Sequence, residues 1–272
     1  MFIYHRPLTI NHVVMKIIFL GTGTSVGVPA IGCDCPVCQS TDPRNKRRRA
    51  GLYLEAAGMH IVVDTPPDFR EQAITFKIPR VDAVLFTHSH ADHIFGFDDI
   101  RRFNTIQDCV IPAYGSASTL ADMKRIFNYV HYENEDIPGL YRPRIEFKEI
   151  SGPFDLGGIH IDPLPVDHGP KPTLGFLFKA EGRTLGYVPD CHEMTDDIVG
   201  KLKGVDIMIL DALRHKPHST HLTVKDSIAL LKRIGAGQSY IIHMCHDLDH
   251  EETQNGLPAS IYVSYDGLTI EW

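Results

Sequence analysis

The chain has no run of about 18 apolar residues, the length a helix needs to cross a bilayer core, and this excludes a helical membrane protein. Residues 1–14 lack the apolar centre and small-residue cleavage site of a secretory signal, so the expected location is the cytoplasm. Basic charge is also in short supply. With 27 Lys and Arg against 34 Asp and Glu, the formal net charge is -7. A long nucleic-acid partner is therefore disfavoured, because affinity for a phosphate backbone comes from neutralising many charges at once. The run Lys46-Arg47-Arg48-Arg49 is a local exception. It reads as a solvated loop, or as a patch that steers one small phosphodiester. The six cysteines lack the spacing of a disulfide framework, and internal repeats and low-complexity tracts are missing as well.

What is present suits a compact enzyme. At 272 residues and 43% hydrophobic content, the chain can bury one large core. Residues 15–272 are expected to form a single domain, with residues 1–14 as an N-terminal extension. Short strands dominate up to about Val63 and resume near Val81. Strands and helices then alternate, with helical patterns around Ser118–Tyr129, Thr195–Lys203 and Thr223–Ile234. The last helix carries clear signals: Thr223 as its cap, Asp226 at its third position, an apolar stripe of Val224, Ile228 and Leu231, and Gly235 as a stop. Tyr132–Arg144, rich in charge and proline, reads as a surface loop overhanging the site.

The densest chemistry lies in His88-Ser89-His90-Ala91-Asp92-His93, directly after the apolar strand Ala83-Val84-Leu85-Phe86. Four strong ligands in six residues at a strand's end point to metal. His88 and His90 can face one ion while Asp92 and His93 face its neighbour, as in a two-metal hydrolytic centre. A second concentration, Cys33, Cys35 and Cys38, places three thiols within six residues. An odd triplet suits zinc better than disulfides, Cys109, Cys191 and Cys245 have no framework-like spacing, and Cys191 and Cys245 read as small buried apolar residues.

The stretch Thr87 to His93, with Gly96 following, resembles the T-H-x-H-x-D-H signature of the metallo-β-lactamase superfamily. The resemblance implies an αββα sandwich with the metal loops along one edge. It also implies further ligands at later strand ends: His168 to complete a three-histidine site, Asp190 as the bridging carboxylate, and His243 as the last imidazole of the second site. Taken singly, each of these reads more readily as a structural residue than as a ligand. Asp64 matches the superfamily's early Asp and is expected to brace the ligand loop through hydrogen bonds.

The strand Lys16–Leu20, the segment Gly21-Thr22-Gly23-Thr24-Ser25 and the cysteine triplet narrow the resemblance to a phosphodiesterase branch, typified by the cyclic-phosphate phosphodiesterases of the carbon-phosphorus lyase pathway. In that branch a histidine three residues beyond the last catalytic ligand joins the cysteines around a structural zinc. Here it is His246. A histidine before a Thr-led helix acts on the leaving group in such enzymes, which assigns His221 as general acid. His218, in His218-Ser219-Thr220, is the alternative or else a phosphate contact.

The expected activity is hydrolysis of small or cyclic phosphodiesters by a metal-bridging hydroxide, with Asp92 and His221 in the catalytic set. The expected cofactors are two Zn or Mn ions and one structural Zn, and the expected assembly is a homodimer. A thioester or lactone hydrolase of the glyoxalase II type is the first alternative. It is disfavoured because the chain ends in strand-like Ile261–Val263 and Leu268–Ile270 rather than in helices. A tRNase Z-like endonuclease is disfavoured because a long RNA-binding insertion is lacking. A non-catalytic metal-binding module is disfavoured by the complete ligand set.

Overall fold

The computed structural model describes residues 15–131 and 141–272. Residues 1–14, and 132–140 of the loop expected over Tyr132–Arg144, lie outside the described residues. Fourteen strands are described, in chain order. The first seven are β1 (Met15–Gly21), β2 (Gly51–Ala56), β3 (Met59–Val63), β4 (Ala83–Leu85), β5 (Ile111–Gly115), β6 (Ile145–Glu149) and β7 (Phe154–Leu156). They continue with β8 (Ile159–Val166), β9 (Thr173–Ala180), β10 (Arg183–Val188), β11 (Ile207–Asp211), β12 (Gln238–Ile242), β13 (Ile261–Val263) and β14 (Thr269–Glu271). They form two sheets, ordered β14-β1-β2-β3-β4-β5-β6 and β13-β12-β11-β10-β9-β8-β7.

Alternation along the strands builds the layers. In β3, Ile61 and Val63 enter the core between the sheets, while Val62 enters an outer core beneath helices. In β11, Ile207 and Ile209 face inward, and Met208 and Leu210 face the helices on the other side. A strand buried on both faces reads as a continuous apolar run, as these do. The helices Asp196–Lys201 and Val224–Ile234 supply Ile198, Leu231 and Ile234 to one outer core. The helices Phe69–Thr75, Ile100–Gln107 and Ala117–Ile126 supply Phe69, Phe103 and Met123 to the other. The result is the expected αββα sandwich.

Strand direction decides where the chemistry collects. β10, β11 and β12 are mutually parallel, and β8 runs with them because β9 is antiparallel to both β8 and β10. Their C-terminal ends therefore open on one edge, which receives His168, Asp190, Asp211 and His243. In the other sheet, parallel β3 and β4 deliver Asp64 and Thr87. The Leu174 amide donates to the Thr87 carbonyl at 3.0 Å, tying the two sheets together at this edge. Among the described residues, no helix is long and apolar enough to cross a membrane.

The helices Phe69–Thr75 and Ile100–Gln107 carry no capping side chain, and the sequence patterns did not reveal them. They are held by packing, with the Phe69 and Phe103 rings 6.2 Å apart. The reading of Lys46–Arg49 as a solvated loop is corrected at Arg47, which is only 1% exposed. Arg48 pairs with Glu71 and Arg49 with Asp68. The correction has a steric cause: residue 47 bridges to Val28, and this turns its side chain inward.

The helix Val224–Ile234 starts with a reciprocal capping box between Thr223 and Asp226 and stops at Gly235, whose φ is 65°. Only glycine takes that left-handed conformation without a side-chain penalty. Thr223→Ala removes the hydroxyl that accepts the Asp226 amide, and it is expected to cost about 1 kcal/mol in a denaturant titration. Thr223→Ser should restore most of that loss, and a Ser variant as unstable as Ala would contradict the capping account.

Candidate metal centre

Thr87 ends the strand and is fixed from two sides. Asp64 accepts its amide at 2.9 Å and its hydroxyl at 2.8 Å. Asp64 sits at φ 63°, an uncommon position for a residue with a side chain, and such strain gathers at functional sites. His90 then opens the single turn Ala91–Ile94, which carries Asp92 and His93. Gly96 closes the segment. A Cβ there would lie 2.1 Å from the Pro66 carbonyl oxygen and 2.7 Å from the Phe69 Cβ, so the loop and the following chain meet only through glycine.

The structure brings together all seven residues named as ligands. One group unites His88, His90 and His168, a second His88, His93 and Asp190, and a third Asp92, His93 and His243. Within each, one candidate ligand atom per residue lies within 4.8 Å of the others. His88 Nε2 and His90 Nδ1 are 2.8 Å apart. Asp190 stands between the groups, with His93 Nε2 at 2.7 Å and His243 Nε2 at 3.0 Å. His93 Nδ1 is engaged by Asp64 at 2.8 Å. His168 Nδ1 lies 2.8 Å from the Thr220 carbonyl, which can only accept, so Nε2 is the nitrogen with a free lone pair.

These residues fit divalent cations. Both Asp190 oxygens and both His243 nitrogens are buried without an aligned hydrogen bond, although their neighbours are close. Short contacts without hydrogen-bond alignment are expected of atoms that point at a shared ion. The field has the right sign as well. Burial opposes charge on His93, yet Asp190, Asp92 and Asp64 together hold that imidazole well above its ordinary range. Burial likewise opposes charge on Asp92, but His93 and His243 keep its carboxyl far below the usual value. A centre that draws a proton onto a buried imidazole in this way also draws a cation.

His221 lies at the rim, its ring centroid 4.6 Å from that of His168 and 4.7 Å from that of His243. Its Nδ1 meets Asp211 Oδ2 at 2.8 Å. The same oxygen accepts the Cys191 amide at 3.0 Å and the Leu222 amide at 3.3 Å. Burial pushes the Asp211 carboxyl well above its ordinary value and lowers His221 to about 4. The pair therefore favours a net-neutral form with one shared proton. Asp211 was not singled out from the sequence, although it ends the apolar run Ile207–Leu210 just as Asp190 follows β10. His218 is 5.1 Å from His221 between ring centroids, and its Nδ1 lies 3.2 Å from the Thr220 hydroxyl.

The cysteine group is separate. Cys33, Cys35 and Cys38 sulfurs lie 3.1, 3.6 and 3.5 Å from His246 Nδ1. The Ala30 amide points at Cys38 Sγ from 3.3 Å and the Cys38 amide at Cys35 Sγ from 3.4 Å, contacts that favour thiolates. The Cys38 amide is the largest influence lowering Cys35 to about 7, whereas burial pushes the Cys38 thiol up to about 11. All six cysteines are free. Cys191 and Cys245 are buried as expected, and Cys109 is partly exposed.

Comparison with known proteins agrees with this geometry. Residues 59–244, more than half of the chain, match the model of the beta-lactamase superfamily domain. A crystal structure of a diphosphatase from the PhnP family is 38% identical, with a TM-score of 0.87 over 95% of this chain and 97% of that one. Zn(2+)-bound PqqB from Methylobacterium extorquens shares the fold at 20% identity and a TM-score of 0.77, over 94% of this chain and 100% of that one. An octanoyltransferase of Porphyromonas gingivalis is 34% identical over 93% of this chain, which spans about half, 51%, of that relative's length. The chain thus belongs to the beta-lactamase superfamily.

Proposed function

We propose that the protein hydrolyses small phosphodiesters, cyclic ones included, at a pair of divalent cations, with His221 handling the leaving-group proton. The observation that carries this reading is the His221–Asp211 pair standing at the rim of the seven-residue centre. In it, His88, His90 and His168 would hold one cation and Asp92, His93 and His243 the other, with Asp190 within reach of both groups. Imidazole ligation suits Zn²⁺, and a shared carboxylate also admits Mn²⁺. When bound, such a pair neutralises charge on a phosphoryl group and activates water for attack.

The chain's own residues do the rest. Asp211 occupies His221 Nδ1, so Nε2 is the nitrogen that exchanges a proton with the substrate. As Nε2–H passes to the departing oxygen, Nδ1 takes the proton held with Asp211, and the imidazole never becomes an anion. Asp64 steadies His93, and the Thr220 carbonyl steadies His168. Cys33, Cys35, Cys38 and His246 would hold a structural zinc, and cysteines kept unpaired for such a site suit a reducing compartment such as the cytoplasm. The diphosphatase relationship adds a second reading, cleavage of a P–O–P linkage, which the same proton donor would serve.

A substrate panel decides between classes. Zinc- or manganese-loaded protein should turn over alkyl and cyclic phosphodiesters or diphosphate diesters at least about 100-fold faster than thioesters, the scale of a well-matched acid-base group. Faster thioester cleavage would sink the phosphodiesterase reading.

His221→Ala should slow alkyl diesters by about 10²- to 10⁴-fold while leaving metal content unchanged. Bis-p-nitrophenyl phosphate should suffer much less, because its leaving group departs without a proton. Equal losses on both substrates would make His221 a positioning residue, and full activity on both would move the role to His218.

Asp190→Ala should lower occupancy of the cation pair and abolish turnover with the fold retained. Elemental analysis that finds both ions still in place would overturn the shared-ligand assignment. Cys35→Ser should remove one zinc and lower the melting temperature, and unchanged zinc content with unchanged melting would refute the structural site.

A further inference from the structure

Arg47 has no part in the chemistry so far, yet it is only 1% exposed. Among the described residues its guanidinium makes no ion pair. Nη1 donates to the Cys245 carbonyl at 3.0 Å, Nη2 donates to Asn45 Oδ1 at 3.2 Å, and Nε has no partner. Burial lowers the guanidinium to about 10, so it stays a cation at neutral pH. Asp266, Asp249 and Asp42 support this charge from beyond ion-pairing distance, but a buried cation without a direct ion pair is still costly, and its presence here calls for a physical reason.

The backbone of the same residue grips a different loop. Arg47 N donates to the Val28 carbonyl, and Arg47 O accepts the Val28 amide, both at 2.8 Å. Two residues further on, the Ala30 amide points at Cys38 Sγ, and the Ala30 carbonyl accepts the Cys33 amide at 3.1 Å. One residue thus holds the cysteine loop by its main chain and the C-terminal loop by its side chain. In the latter loop, Cys245 lies between His243 of the catalytic group and His246 of the cysteine group. His243 takes φ 62°, a conformation that has to be imposed by its surroundings.

We propose that Arg47 is a positioning residue that couples the cysteine clip to the catalytic centre, an inference that rests on the metal assignments above. By anchoring the Cys245 carbonyl it sets His243 and His246 together, so neither site can loosen alone. The fork of an arginine suits this role, since it reaches a carbonyl and an amide oxygen at once. A lysine presents a single point charge.

The test compares Arg47→Met, Cys35→Ser and the double variant with the parent. Ile198→Ala, in the outer helical layer, serves as a control for simple destabilisation. Each full-length protein is loaded with zinc and challenged with EDTA, and ion loss is followed by elemental analysis. Cobalt-loaded samples report the clip through cobalt–thiolate absorption. Arg47→Met and Cys35→Ser should each release the catalytic pair at least about tenfold faster than the parent, and Arg47→Met should also weaken the thiolate band. If both act through one coupling, the double variant should be within about threefold of the worse single variant. Ile198→Ala should keep its ions as the parent does.

Effects that multiply in the double variant, or equal ion loss in Ile198→Ala, would overturn the coupling. Should Arg47→Met fail to fold, Asn45→Ala removes the Nη2 acceptor and keeps the charge. It should accelerate release by about three- to tenfold, and no acceleration would again reject the proposal. A parent that shows no cobalt–thiolate band would instead refute the clip assignment itself.

Discussion

The centre depends on one electrostatic constraint: a carboxylate, Asp190, that is 1% exposed and lacks an aligned hydrogen-bond donor. Burying an ionised carboxyl is expensive unless positive charge is brought to it. The fold brings imidazoles rather than lysines or arginines, with His93 and His243 within 3.0 Å. Imidazoles can answer that charge by taking up a proton or by ligating a divalent cation. The surrounding structure can be understood as the apparatus that keeps this cluster converged: Asp64 behind His93, the Thr220 carbonyl behind His168, and a strained backbone at Asp64 and His243.

A second carboxylate in a similar position does different work. Asp211 ends the strand next to β10, is fully buried, and faces one imidazole and two amides instead of several imidazoles. Hydrogen bonds of this kind hold a proton-sharing pair, whereas convergent lone pairs hold metal. Two acids on neighbouring strands of one sheet are thus separated in role by what meets them. The separation follows from strand register, since Leu210 pairs with Val188 and so places the two strand ends side by side.

The cysteine group and Arg47 show how far the centre's support extends. His243 and His246 are three residues apart and belong to different ligand groups, so the short loop between them carries both. Several contacts that hold this loop come from the beginning of the chain, Thr22 and Thr24 through the Met244 backbone and Arg47 through the Cys245 carbonyl, while the Cys245 amide donates to the Leu213 carbonyl. A domain whose N-terminal and C-terminal segments meet at its chemistry gains stability and site geometry from the same contacts.

Much was legible in the sequence because some chemistry is local. His88 to His93 lie on one loop, and Cys33 to Cys38 on another, so residue type and spacing alone mark them as candidate metal ligands. The apolar runs of β3, β4 and β12 and the capping signals of Val224–Ile234 are local as well. The more distant members, His168, Asp190, His243 and His246, came from family resemblance, because nothing nearby in sequence marks an isolated histidine as a ligand. Tertiary structure alone decided the rest. Asp211 became His221's partner because parallel strands place their ends together. Arg47 turned inward because a bridge to Val28 set its direction, although as part of a basic run it read as solvated. The helices Phe69–Thr75 and Ile100–Gln107 formed on packing without caps. In each case the deciding contact joins residues far apart in the chain, and only the folded topology brings them within reach.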